Sequence, residues 1–261
     1  MSLIPYTKYL QKEGDGLIAV ILAAGYATRL GELTKNTPKA LLDISGRPVL
    51  DNLIEKIDEV SCIDRICVVS NHKFFSHFKD WADKKNRDDI IILDDGTVSP
   101  DAQRGALGDF MFAVDSLSID EDVLLAAGDN FFDFSIGGYI EKWNELSRPA
   151  MILTKRLSNI DDLKRFAVAQ VDENMRVISL EEKPNEPKSD LGAFALYLYP
   201  ASCVRLLPQY LKEGNPKDAP GHYPEWLHKK VPLYAYIAPG EIYDIGVPES
   251  LYEVREMFRH R

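Results

Sequence analysis

Cysteine, positive charge and long apolar runs are what this chain has least of. Its three cysteines, Cys62, Cys67 and Cys203, form no metal-ligand pattern and leave an odd count. That composition points to buried or free thiols in a reducing cytoplasm, not to a stapled or zinc-held scaffold. Lys and Arg number 31 against 41 Asp and Glu, a formal charge of −10. That balance argues against a nucleic-acid partner, because a phosphate backbone is met by basic faces. A nucleotide is not excluded, since a local cluster of cations can oppose the global sign. No apolar run approaches the roughly 20 residues a membrane-spanning helix needs. Met1 to Gly16 carries Lys8, Lys12 and Glu13 around no sustained apolar core, so it reads as a short arm and not as a signal peptide.

What the chain does have is 45% hydrophobic residues over 261 positions, enough for a sizeable core in one large α/β domain or two small ones. It is organised around Leu17 to Leu50, LIAVILAAGYATRLGELTKNTPKALLDISGRPVL. Leu17 to Leu22 is a β-branched-rich run that reads as a strand buried on both faces. Ala23-Ala24-Gly25 follow, small residues that let the backbone turn sharply and a ligand approach closely. Arg29 and Lys39 come next, separated by the turn signals Thr34, Asn36 and Pro38. A strand, a small-residue loop and two cations in that order suit a triphosphate, whose oxygens are met by backbone N–H groups and positive charge.

Further strands are predicted at Arg65–Ser70, Ile90–Leu93 and Asp122–Ala127. Helices are predicted over Val49–Val60, around Phe74, Phe75, Phe78 and Trp81, and from Arg104 or Gly105 through Val114. His72 and His77 flank that aromatic group and read as part of a packed helix face. Alternating strands and helices predict a Rossmann-like α/β fold, a mostly parallel sheet with helices on both faces. Ligands in such sheets bind beyond the carboxyl ends of the strands. The loop at Ala23 and the Gly128-Asp129-Asn130 turn both sit at such ends. Short β-rich runs at Ala150–Thr154, Phe166–Val171, Arg176–Leu180 and Ala193–Tyr199 predict a small antiparallel excursion. Ser202–Leu211, His222–Lys230 and Glu249–Arg261 read as helices, with Val231–Ala238 a strand. The Gly/Pro-rich loop Gly214–Gly221 could reach over the site or mediate oligomer contacts.

The Leu17–Leu50 stretch resembles the N-terminal signature of the sugar-1-phosphate nucleotidyltransferases, LAAGxGTRLxPLTxxxPKxLLxIxGxP. It departs from that pattern at Ala27, where a second Gly is usual, and at Glu32, where a Pro is usual. EEKPNEPKSD, from Glu181 to Asp190, is similar to a string in glucose-1-phosphate thymidylyltransferases. Glu241 to Leu251, EIYDIGVPESL, is similar to the family's closing WxDIGTPESL. With the Gly128-Asp129 pair, which matches a GD pair of the family, these make four motifs in family order that cover nearly the whole chain. They imply a single domain, with a nucleotide-binding half over 17–130 and a sugar-phosphate-binding half over 131–261. No hexapeptide repeat follows, so no β-helix tail is expected.

The resemblance implies roles. Leu22, Ala23, Ala24 and Gly25 would meet the nucleotide, with Gln103, Gly105 and Gly108 at the base. Arg29 would steady the triphosphate, Lys39 the α-phosphate and Lys183 the sugar phosphate. Glu182 would accept hydrogen bonds from sugar hydroxyls. Ala167 inherits a sugar-contact position where a Gly is usual. Asp129 and Asp244 would bind a divalent cation, Mg²⁺. The implied reaction joins a nucleoside monophosphate from an NTP, dTTP or UTP favoured, to a sugar 1-phosphate, glucose 1-phosphate favoured. The implied setting is the cytoplasm, with a homo-oligomer left open. Two rival readings stand beside it. One is a cytidylyltransferase acting on phosphocholine or another non-sugar phosphate. The other is a non-catalytic nucleotide-sugar sensor, which the replacements Ala27, Glu32 and Ala167 would suit.

Overall fold

The computed structural model describes residues 16–259; the expected arm therefore lies almost wholly outside the described residues. The first half runs β1 (Leu17–Leu22), β2 (Asp43–Ile44), β3 (Arg47–Pro48), α1 (Val49–Asp58), β4 (Ile63–Ser70), α2 (Phe75–Lys85), β5 (Ile90–Asp94), α3 (Ala106–Leu117), β6 (Asp122–Ala127) and β7 (Asn130–Phe132). The second runs α4 (Gly137–Glu145), β8 (Ala150–Arg156), α5 (Ile160–Leu163), β9 (Ala167–Val171), β10 (Val177–Glu182), β11 (Leu191–Tyr199), α6 (Ala201–Val204), α7 (Leu207–Lys212), α8 (His222–Leu227), β12 (Leu233–Ile237), β13 (Ile242–Asp244) and α9 (Pro248–Met257).

β1 lies between β4 and β6, parallel to both, and β4 continues in parallel to β5. Side chains alternate across a strand, so β1 feeds two cores. Ile18 and Val20 pack with Leu107, Phe110 and Ala113 of α3, while Leu17, Ala19 and Ile21 pack with Leu50, Leu53, Phe78 and Trp143 beneath α1, α2 and α4. This two-sided burial is why β1 is apolar without interruption. β11 joins β6 in antiparallel fashion and also pairs with β8 and β9, so the antiparallel excursion belongs to the same nine-stranded sheet. A separate ribbon pairs β13 with β7 and sets Asp244 opposite Asn130.

The expected helix over Ser202–Leu211 is two short ones, α6 and α7. Pro208 lies in the first turn of α7, where its missing N–H is tolerated, but in one continuous helix it would break the ladder. α8 and α9 also end earlier than expected, at Leu227 and Met257, and the last two residues of the expected terminal helix lie outside the described residues. Cys62, Cys67 and Cys203 are free, and burial pushes the Cys67 thiol up to about 12. Among the described residues no helix is long and apolar enough to cross a membrane.

Two backbone positions constrain the loops at the strand ends. Ala27 is left-handed, at φ 48° and ψ 43°, which explains why a glycine serves better there. Gly105, just before α3, has φ 80°, and a Cβ on it would stand 2.5 Å from Lys217 O. A left-handed alanine costs about 1–2 kcal/mol, against about 0.4–1 kcal/mol of unfolded-chain freedom that a glycine restores. Ala27→Gly is therefore expected to raise the urea midpoint, by about 0.5–1 kcal/mol of stability. Gly105→Ala, strained and clashing with backbone, is expected to lower it by about 2 kcal/mol or more.

Candidate active site

A cleft of about 340 Å³ opens at the carboxyl ends of β1 and β6. Its floor is the Leu22–Gly25 segment, fixed from several sides. Ala23 N donates to Val69 O at 2.9 Å, and Gly128 N donates to Leu22 O at 3.0 Å. The Asn71 side-chain amide donates to Ala24 O at 2.8 Å while its oxygen accepts from Phe74 N. Buried Tyr26 donates to Thr97 O at 2.9 Å. Space is tight where the chain segments cross: a Cβ on Gly128 would sit 3.2 Å from Ile21 Cγ2 and 3.4 Å from the Cβ atoms of Ala23 and Ala40. The loop is thus a rigid cradle whose free face is backbone, as a phosphate-bearing ligand needs.

Lys39 stands where three distant segments meet. Its ammonium bonds the Asp129 carboxylate, at the end of β6, and lies 3.5 Å from Asp244 Oδ1, at the end of β13. Burial opposes the lysine's charge, but Asp129 and Asp244 outweigh that and hold its pKa above the ordinary value. Burial, joined by repulsion from Asp129, pushes the Asp244 carboxyl up against the opposing pull of Lys39 and Arg165. Two carboxylates converging on one cationic point are a donor set suited to a hard divalent ion. Mg²⁺ takes one or two carboxylates and completes its shell with phosphate oxygens and water. The described residues contain no group of three or more His, Cys, Asp or Glu arranged to hold a metal unaided.

At one end of the cleft lie Gln103, Gly105 and Ala106, the entry to α3. The Gln103 amide donates to Pro100 O at 2.7 Å. Gly108 is not on this wall; it lines an adjoining groove with Met111 and Phe112. Helical geometry gives the reason, because the residue sharing a face with Gly105 is the one four positions on, Asp109. Asp109 does line the cleft. At the other end Lys183 lines the cleft, and Glu182 is buried beside it, its Oε1 3.6 Å from Lys183 Nζ. Burial pushes the Glu182 carboxyl up, and Glu225 adds to this, against Lys183 and His222. Ala167 is buried, and a Cβ on Gly221 would fall inside the contact radius of Glu182 Oε2 and 3.4 Å from Ala167 Cβ. Arg29 is exposed on the cleft wall.

Three features of the cleft go beyond the sequence reading, which leaves the Gly214–Gly221 loop open between reaching over the site and mediating oligomer contacts. The Gly214–Gly221 loop lies over the entry to α3: Leu107 N donates to Lys217 O at 3.0 Å, and Asp218, Ala219 and Pro220 line the cleft. Arg165 reaches Asp244, Nη2 to Oδ2 at 3.7 Å. Its place just before Phe166-Ala167-Val168 was the available signal. Asp109 carried no such signal.

Comparison with known proteins places the chain in a family. A family model described as nucleotidyl transferase matches residues 18–260. The UTP–glucose-1-phosphate uridylyltransferase AglF of Haloferax volcanii is 26% identical over 181 residues, covering 69% of this chain and 71% of that protein. The bifunctional protein GlmU of Methanococcus aeolicus is 30% identical over 184 residues, covering 69% of this chain but 39% of its own length. A crystal structure from Bacillus anthracis, described as a glucose-1-phosphate thymidylyltransferase in complex with sucrose, superposes with a TM-score of 0.77 at 24% identity, covering 94% of this chain and 96% of that one. UDP-glucose pyrophosphorylase complexed with UDP-glucose superposes with a TM-score of 0.79 at 17% identity, over 93% and 98% of the two chains. The structural likenesses establish the fold, and the sequence match runs from within β1 to the far end of the described residues. The chain belongs to the nucleotidyl transferase family.

Proposed function

We propose that this cleft transfers a nucleoside monophosphate from UTP or dTTP to a sugar 1-phosphate, glucose 1-phosphate favoured, releasing pyrophosphate. The observation that carries the reading is Lys39 between Asp129 and Asp244, in a cleft lined also by the small-residue segment Leu22–Gly25 and by Lys183. The relatives' printed activities support it: AglF is a UTP–glucose-1-phosphate uridylyltransferase, and one structural neighbour holds UDP-glucose. Residues 17–130 serve the nucleotide and 131–261 the sugar phosphate, within one unit.

In this mechanism a phosphate oxygen of the sugar 1-phosphate attacks the α-phosphorus. A new P–O bond forms, the bond to the bridging oxygen breaks, and its electron pair leaves with pyrophosphate. The protein has little covalent work to do, so it positions reactants and stabilises charge. Backbone from Leu22 to Gly25 carries the nucleotide, and Gln103 and Gly105 border its base. Lys39 faces the α-phosphate, Arg29 the departing pyrophosphate, and Lys183 the acceptor phosphate. Glu182 accepts hydrogen bonds from sugar hydroxyls. Asp129 and Asp244 would hold Mg²⁺, which supplies charge neutralisation at the phosphate oxygens when bound.

The test is pyrophosphate release with Mg²⁺, crossing UTP, dTTP, CTP, GTP and ATP with several sugar 1-phosphates and phosphocholine. Release confined to UTP or dTTP with a hexose 1-phosphate is the expected result; release with phosphocholine and CTP would replace the reading. Lys39→Ala and Asp129→Ala are each expected to cut kcat by about 10²–10³ while the fold, followed by circular dichroism, persists. Gly221→Ala displaces the Glu182 carboxylate, so it is expected to raise KM for the sugar phosphate about tenfold and to leave KM for the nucleotide nearly unmoved.

A further inference from the structure

Asp109 is a buried carboxyl with an unanswered atom. It is 6% exposed, and its Oδ1 has no hydrogen-bond partner within the protein. Buried polar atoms without partners are rare, because each forfeits its hydration. The side chain lies in the first turn of α3 and lines the cleft at the end bordered by Gln103, Gly105 and Ala106. Nothing in the transfer mechanism uses it.

Its surroundings fix which form it takes. Asp95, at 2% exposed, already accepts two hydrogen bonds from Thr97: Oδ1 from the backbone N–H at 2.6 Å and Oδ2 from the hydroxyl at 2.9 Å. Those bonds suit a carboxylate. Burial, with Asp95 within hydrogen-bonding reach, pushes the Asp109 carboxyl up to about 8, against the weaker pull of Arg104 and Lys217. Arg104 is engaged elsewhere, donating from Nε to Asp95 O at 2.9 Å. Near neutral pH the proton therefore sits on Asp109 and is directed at Asp95. The remaining oxygen, Oδ1, is then carbonyl-like, able to accept and not to donate.

The geometry points to Asp109 as the residue that reads the nucleobase, its Oδ1 accepting the ring N3–H of an imide pyrimidine, uracil or thymine. Cytosine carries a lone pair at the same ring position and would face that oxygen acceptor to acceptor. Discrimination of this kind comes from the unmatched pair as much as from the matched one. Uracil and thymine share the N3–H and are not separated by this contact. The inference rests on the reading of the cleft as a nucleotide site.

Calorimetric affinities of the full chain for UTP, dTTP and CTP, set beside pyrophosphate release, test it. Wild type is expected to bind UTP and dTTP about tenfold or more tightly than CTP. Asp109→Leu is expected to lose that ratio by weakening UTP and dTTP alone, with KM for the sugar 1-phosphate unmoved. Asp109→Asn can donate its amide to Asp95 and present the same carbonyl oxygen, so it is expected to keep the ratio. A purely structural role would instead move all nucleotides together. Should Asp109→Leu fail to fold, the isosteric Asn variant decides: collapse of the ratio there overturns the inference, as does a wild-type preference for CTP. Turnover in which Asp109→Leu keeps the UTP-over-CTP ratio overturns the base contact alone. Nucleotide binding with an Asp109-dependent ratio but no pyrophosphate release supports the contact and overturns the transferase reading.

Discussion

A single ammonium held between two carboxylates is the interaction on which the cleft depends. Asp129 and Asp244 are like charges in a largely buried place, and without a cation between them they would repel at close range. Lys39 supplies that cation from a third segment, and its own burial is compensated by the same pair. Neither side is stable there alone. The arrangement keeps three distant pieces of chain at one point, and the strand ends around it inherit their positions.

The sheet gives that point its rigidity. β1 is covered on both faces and paired on both edges, so the loop leaving it has little freedom. β11 carries the same rigidity into the second half by pairing with β6, β8 and β9. Glu182 and Lys183, at the end of β10, are thereby fixed relative to Ala23–Gly25 through a continuous ladder of hydrogen bonds. The loop at Lys217 adds a second link on the open side, where backbone meets backbone at Gly105 and Leu107.

Much of this was legible in the chain itself. Unbroken apolar runs marked β1, β4, β5 and β6, because strands buried on both faces cannot alternate. The small residues after β1 and the Gly-Asp after β6 line the candidate cleft, and at Gly128 Ile21, Ala23 and Ala40 leave little room for a side chain. Other features were hidden for physical reasons. Asp109 looks like any acidic residue in a first helical turn, and only its burial against Asp95 sets it apart. The role of the Gly214–Gly221 loop depends on which distant element it meets, which local composition does not encode. Gly108 lines the adjoining groove and not the cleft, because its position on α3 turns it away from the face shared by Gly105 and Asp109.

The ribbon of β7 and β13 has a consequence for how the protein comes into being. Asp129 and its neighbours emerge during synthesis long before Asp244, and the pairing of Phe131 with Tyr243 closes a loop of most of the second half. Contacts of such long sequence separation form only after much of the chain's freedom has been surrendered. The parallel core around β1 can assemble early from neighbouring segments, whereas the carboxylate pair is completed by nearly the last strand to be made. A partly synthesised or partly folded chain would hold a formed cradle with half of its anionic pair, and the cleft would be completed by the final act of folding.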